Sequence, residues 1–126
     1  MLRKSYTRAA TLFAATALLA GSPIAASAAT NSQAAAAVHG CPSGAVCIYP
    51  QDAGWNNDKP SHFYYSYGAH NLNNQFGTHR IFNNQTDGAT MSTCTGYNGA
   101  GCEGKLPAFM YIDKNLTPIN SITLQR

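Results

Sequence analysis

His62-Phe63-Tyr64-Tyr65-Ser66-Tyr67 is the stretch whose reading decides the fold class. In an extended chain successive side chains alternate, so Phe63, Tyr65 and Tyr67 share one face and His62, Tyr64 and Ser66 the other. Aromatic residues at every second position predict a half-buried strand. Outward from this run, residues 41–126 show no apolar i, i+3, i+4, i+7 pattern of the kind that marks a helix. Five more short β-rich runs appear instead, over 45–49, 79–83, 89–94, 109–113 and 121–124. Between them lie Asn56-Asn57-Asp58, residues 71–74, Asn83-Asn84, Asp87-Gly88 and Asn98-Gly99. Asn, Asp and Gly tolerate the left-handed conformations that tight turns require. Short strands separated by such turns predict an all-β sandwich or Greek-key barrel. Arg80-Ile81-Phe82-Asn83 and Asn120-Ser121-Ile122-Thr123-Leu124 close two loosely similar halves, which suggests a duplicated Greek key.

The amino terminus points to export. Arg3, Lys4 and Arg8 precede an apolar run over 9–20, shorter than the ~20 residues a membrane span needs. Gly21, Ser22 and Pro23 interrupt it, and Ala26-Ser27-Ala28 has the small-x-small form of a cleavage site. The expected organisation is a signal peptide over 1–28, a flexible leader over 29–40 and one domain over 41–126. Of the 8 Lys+Arg, three fall in the signal, and the remaining five (Lys59, Arg80, Lys105, Lys114, Arg126) balance the 5 Asp+Glu. The mature chain is therefore neutral, with no basic cluster to contact a phosphate backbone. Neither a nucleic acid nor a membrane is an expected partner.

Four cysteines in an exported chain predict two disulfides. Cys41 to Cys47 encloses a Pro-Ser-Gly turn, and Cys94 to Cys102 encloses three glycines and an Asn-Gly. Local pairing, 41–47 and 94–102, is the first choice of the three connectivities. Bridges over loops this small contribute roughly 2–3 kcal/mol each. Each also stiffens its own loop, which suits a binding surface because pre-ordering lowers the entropy cost of association. No catalytic constellation stands out. The histidines His39, His62, His70 and His79 form no i, i+4 metal pair, although His62 and His79 lie in separate strand candidates that could be neighbours. The acids Asp52, Asp58, Asp87, Glu103 and Asp113 are scattered through turns, and no nucleophile elbow or phosphate loop occurs. An enzyme is not expected, and no cofactor or metal is called for.

Three segments together carry a family likeness: Cys41-Pro42-Ser43-Gly44-Ala45-Val46-Cys47-Ile48-Tyr49, Arg80 to Thr86 followed by Cys94 and Cys102, and Leu116-Thr117-Pro118-Ile119-Asn120-Ser121-Ile122. With the export signal, they resemble the secreted peptidase-inhibitor family of the Streptomyces metalloproteinase inhibitor (SMPI). The resemblance implies a βγ-crystallin-like fold of two Greek-key motifs with local disulfides. It also implies a monomer that blocks an extracellular zinc metalloendopeptidase through a disulfide-bounded loop. By position that loop is Cys94, Thr95, Gly96, Tyr97 and Asn98, with the Cys94–Thr95 bond at the reactive place and its carbonyl near the zinc. The loop is longer and richer in glycine than the family's. Thr95 stands where a large apolar side chain is favoured, leaving Tyr97 as the alternative anchor.

Two stretches approach the calcium motif of βγ-crystallins, residues 83–86 and 117–121. The first lacks the serine positions and the second has Pro118 at a ligand place, whereas calcium prefers several charged oxygens. The rival functional reading is a secreted binding or toxin-like module that recognises cell-wall glycan or a competing microbe. Trp55, Tyr64 and Tyr97, together with many amides, would stack on and hydrogen-bond to sugars.

Overall fold

A computed structural model describes residues 36–126. The expected signal over 1–28, and the leader as far as residue 35, lie outside the described residues. Eight strands follow in order: β1 (Ala45–Ile48), β2 (His62–Tyr64), β3 (Gly68–Asn71), β4 (Thr78–Asn84), β5 (Thr90–Cys94), β6 (Cys102–Leu106), β7 (Met110–Asn115) and β8 (Ser121–Gln125). They form two four-stranded antiparallel sheets, ordered β2-β1-β4-β7 and β3-β8-β5-β6. The order repeats between the halves. In each, the second, first and fourth strands lie side by side, while the third crosses to the sheet of the other half.

Burial explains why these runs are strands. Val46, Ile48, Ile81, Met91, Ile122 and Leu124 point between the sheets and form the core with Leu72, Leu106, Leu116 and Ile119. Burying a side chain such as Ile122 contributes about 1.5–3 kcal/mol. β1 is buried on both faces, so it reads as a continuous apolar run rather than an alternating one. Its outer residues Ala45 and Cys47 belong to a second cluster with Cys41, Tyr49 and Phe82, covered by Trp55. The Trp55 ring stacks on His39 at 3.8 Å and receives the Arg80 guanidinium at 4.7 Å. Arg80 also clasps Asp113 across the sheet at 2.7 and 2.8 Å. That pairing holds the Asp113 carboxyl below its ordinary range.

Among the buried polar side chains, Asn83 joins the most elements. Asn83 is fully buried and donates to the carbonyls of Ala89 (3.0 Å) and Leu106 (2.9 Å). Its Oδ1 accepts from both the backbone and side-chain amides of Gln85, each at 3.0 Å. This one residue ties β4 to the turn before β5 and to the end of β6.

Several expectations are corrected. The run over 62–67 is a strand only as far as Tyr64, because residues 65–67 carry the chain across to the other sheet. Its aromatic face is the outer one: Phe63, Tyr65 and Tyr67 are 45%, 57% and 46% exposed, and it is Tyr64 that packs on the core. The register explains the reversal, since Tyr64 lies opposite the inward Val46 and Phe63 opposite the outward Cys47. Strands β3 and β6 are additional to the six expected. Val38 and His39, within the stretch expected to be a leader, make contacts with the domain. Val38 bridges to Cys41, the His39 carbonyl accepts from the Tyr49 hydroxyl at 2.7 Å, and His39 Nδ1 lies 3.0 Å from Asp58.

Candidate functional site

The two disulfides join Cys41 to Cys47 and Cys94 to Cys102, the local pairing expected. The first lies in the outer cluster, where both of its residues are fully buried. The second closes a hairpin at directly opposed positions of β5 and β6. Between those strands the register shifts, with an extra residue on the β6 side between Glu103 and Leu106. Such a bulge raises the local twist.

The loop over 95–101 is a curled turn. Thr95 N donates to Gly101 O at 3.1 Å, Gly96 N to Ala100 O at 2.9 Å, and Ala100 N to Tyr97 O at 3.2 Å. A single 3₁₀ turn, Tyr97–Gly99, forms the apex, with Asn98 in the left-handed region at φ 57°. Asn is among the few residues that adopt this conformation without large strain. Gly99 lets the loop settle on the sheet: a Cβ there would lie 3.1 Å from Thr123 and 3.2 Å from Ala69.

Side chains from distant parts of the chain then fix the loop. The fully buried Ser121 donates from Oγ to Gly96 O (2.6 Å) and accepts from Gly99 N (3.0 Å). Asn120 Nδ2 donates to Thr95 O at 2.8 Å. Asn71 makes a reciprocal pair with Asn98, donating from Nδ2 to Asn98 Oδ1 (3.0 Å) and accepting from Asn98 N (2.7 Å). The result is a rigid projection whose Tyr97 is 52% exposed.

The geometry also describes the Cys94–Thr95 bond to which the resemblance points. Cys94 is fully buried, and its carbonyl already accepts from Asn120 N at 2.9 Å. A carbonyl held in that way cannot approach a metal without opening the strand pairing. Of the five loop residues expected, Thr95, Tyr97 and Asn98 are exposed and Gly96 is half-buried.

The other sequence candidates are dispersed. His62 and His79 are not neighbours, because β1 runs between their strands. The His79 ring is buried, with its nitrogens 2.7 Å from Tyr49 O and 3.0 Å from Phe76 O. Of the aromatic residues offered for sugar stacking, Tyr64 is half-buried against the core and Trp55 is half-buried among His39, Arg80 and Tyr111. In the calcium-like stretches, the Asn83 amide and the Ser121 hydroxyl are engaged by the internal bonds above. Comparison with known proteins decides nothing here. No family model, curated protein or solved structure matches this chain.

Two concavities among the described residues stand near these elements. The larger, about 320 Å³, opens between the edge strands β6 and β7 over Met91, Leu106 and Ile112, with Lys105 and Lys114 at its margin. The smaller, about 200 Å³, lies beside the 95–101 loop.

Proposed function

We propose that this is a secreted βγ-crystallin-like binding domain of the peptidase-inhibitor type, which presents the 95–101 loop to an extracellular zinc metalloendopeptidase. The carrying observation is the immobilisation of that loop by a disulfide at its base and by Ser121, Asn120 and Asn71 along its length. A loop ordered before contact loses little conformational entropy on binding. The strand order supports the Greek-key reading, because each half pairs its second, first and fourth strands and lends its third to the other sheet. Two intramolecular disulfides are compatible with an oxidising, extracellular setting.

Contact is made by the apex, Tyr97 and Asn98, rather than by the Cys94 carbonyl. Tyr97 supplies a large amphipathic ring with few rotatable bonds, a side chain common among interface anchors. The loop resists cleavage because its backbone is curled rather than extended, and the Thr95 and Gly96 carbonyls are held by internal donors. Residues 29–126 titrated against a thermolysin-type enzyme provide the test. Inhibition at micromolar concentration is expected, weakened roughly tenfold or more by Tyr97→Ala with the melting temperature unchanged. Full enzyme activity at micromolar domain would refute the reading for that class of peptidase.

A further inference from the structure

The smaller concavity has a chemistry of its own. Its floor is apolar, made by Leu72 and Ile119, and its walls carry four primary amides, those of Asn73, Asn74, Gln75 and Asn120. Phe76 and Tyr97 flank it, 57% and 52% exposed. No lysine, arginine, aspartate or glutamate lines it. Asn120 Nδ2 is held by Thr95 O and Gln75 Nε2 by Asn73 O, which leaves each amide oxygen as an acceptor. Among the described residues the Asn73 and Asn74 side chains have no partner, so each offers both a donor and an acceptor.

The walls are also pre-formed. Leu72 N donates to Asn120 O at 2.9 Å, Leu116 N to Gly77 O at 2.9 Å, and Gly77 N to Thr117 Oγ1 at 2.8 Å. These three bonds join the 72–77 loop to the 116–120 loop, and the Asn71–Asn98 pair joins the apex of the 95–101 loop to the same end. The geometry points to a binding site for a neutral oligosaccharide, with a pyranose ring laid against Phe76 or Tyr97 and its hydroxyls paired with the amides.

The lining selects for that class. An anionic or cationic ligand would find no opposite charge here. A wholly apolar one would bury the amides without partners, at a cost. Adjacent hydroxyls on a sugar match the paired donor and acceptor of one planar amide. The C–H face of the ring suits an exposed aromatic face, whose electron-rich centre attracts it. The inference does not rest on the peptidase reading, because Phe76 and Asn74 both lie outside the 94–102 loop.

The experiment is a titration of the ¹⁵N-labelled domain with chitotriose, cellotriose and mannotriose in turn, followed by two-dimensional NMR. At least one sugar is expected to give saturable shifts at millimolar concentration, confined to amides of 72–77, 96–98 and 117–120. Phe76→Ala should weaken that binding roughly tenfold. Asn74→Gly, which keeps the left-handed backbone at φ 58° while removing the amide, should weaken it also. Lys105→Ala, at the other concavity, should leave it unchanged. The proposal is overturned if none of the three sugars gives saturable shifts. It is equally overturned if the shifts map to β6 and β7, if both groove variants bind as well as the parent, or if a neutral tripeptide saturates the groove while the sugars do not.

Discussion

Ser121→Ala tests the idea that the 95–101 loop is held from outside itself. The hydroxyl is fully buried and serves two backbone groups, Gly96 O at 2.6 Å and Gly99 N at 3.0 Å. Alanine fills nearly the same space, so the perturbation is the loss of two hydrogen bonds rather than a cavity. A buried group left without a partner costs about 1–3 kcal/mol. Gly96 and Gly99 are only half-buried, so water can re-satisfy them in part, and the lower end applies. The two losses together then favour local opening by about 2 kcal/mol, a factor of roughly 30 in the open population. Amide hydrogen exchange reads this directly. Gly96, Asn98 and Gly99 should exchange faster by about that factor, while Ile81 and Phe82 in β4 follow only the change in global stability. Ser92→Ala is the control, since Ser92 is a buried serine of the same sheet that bonds Gly104 O and not the loop. If Gly99 exchanges at the parent rate in Ser121→Ala, the disulfide and the loop's own turns suffice, and the account of its rigidity is wrong.

Asn83→Ala should destabilise the domain by about 3–5 kcal/mol in guanidinium unfolding, because it takes the Asn83 partner from Ala89 O, Leu106 O and the Gln85 backbone amide in the core, and leaves the Gln85 side-chain amide only its bond to Thr90 O; a loss under about 1 kcal/mol would mean that they re-pair locally. Burial pushes the Tyr49 hydroxyl up to about 12 from 10.0, with the nearby Asp58 charge adding to the effect. The folded state therefore holds this proton more tightly than the unfolded chain. The stabilisation is complete below pH 10 and fades as pH rises from 10 to about 12. Melting temperatures across that range should fall more steeply for the parent than for Tyr49→Phe. Replacing Cys41 and Cys47 together by alanine should lower the melting temperature more than replacing Cys94 and Cys102, because both members of the first pair are fully buried in the outer cluster whereas Cys102 is exposed. Scanning calorimetry of the two double variants ranks them.

What the sequence made legible follows from range. Strands β1, β4, β5, β7 and β8 carry their own apolar or β-branched residues, and their turns carry Asn, Asp and Gly, so each is readable locally. β3 is Gly68-Ala69-His70-Asn71, with no strand propensity to notice. It exists because Gly68 to Asn71 pair with Leu124 to Ser121. β6 holds Glu103, Gly104 and Lys105 on an edge beside a bulge, a composition that reads as loop. The aromatic run over 62–67 misled because alternation shows that two faces differ, not which one is inside. The ends of the candidate loop were visible in the spacing of Cys94 and Cys102. Its supports were not, since Asn71, Asn120 and Ser121 lie 22 to 27 residues from the atoms they hold. Only the run from Leu116 to Ile122 hinted at them.

The exchange of third strands between the halves also bears on how the chain reaches its fold. β3 must find β8, joining residues near 68 to residues near 124, and β7 must find β4. Each sheet is complete only when the third strand of the other half has crossed to it, so a fragment ending before β5 would lack β8 beside β3 and β7 beside β4. Closing such long loops comes before the contacts that reward it, which slows folding and makes it all-or-none. The same interlock protects the finished molecule. A single cut in the turn between β4 and β5 would leave each piece contributing a strand to the sheet of the other, so the domain should outlast proteolytic nicking there.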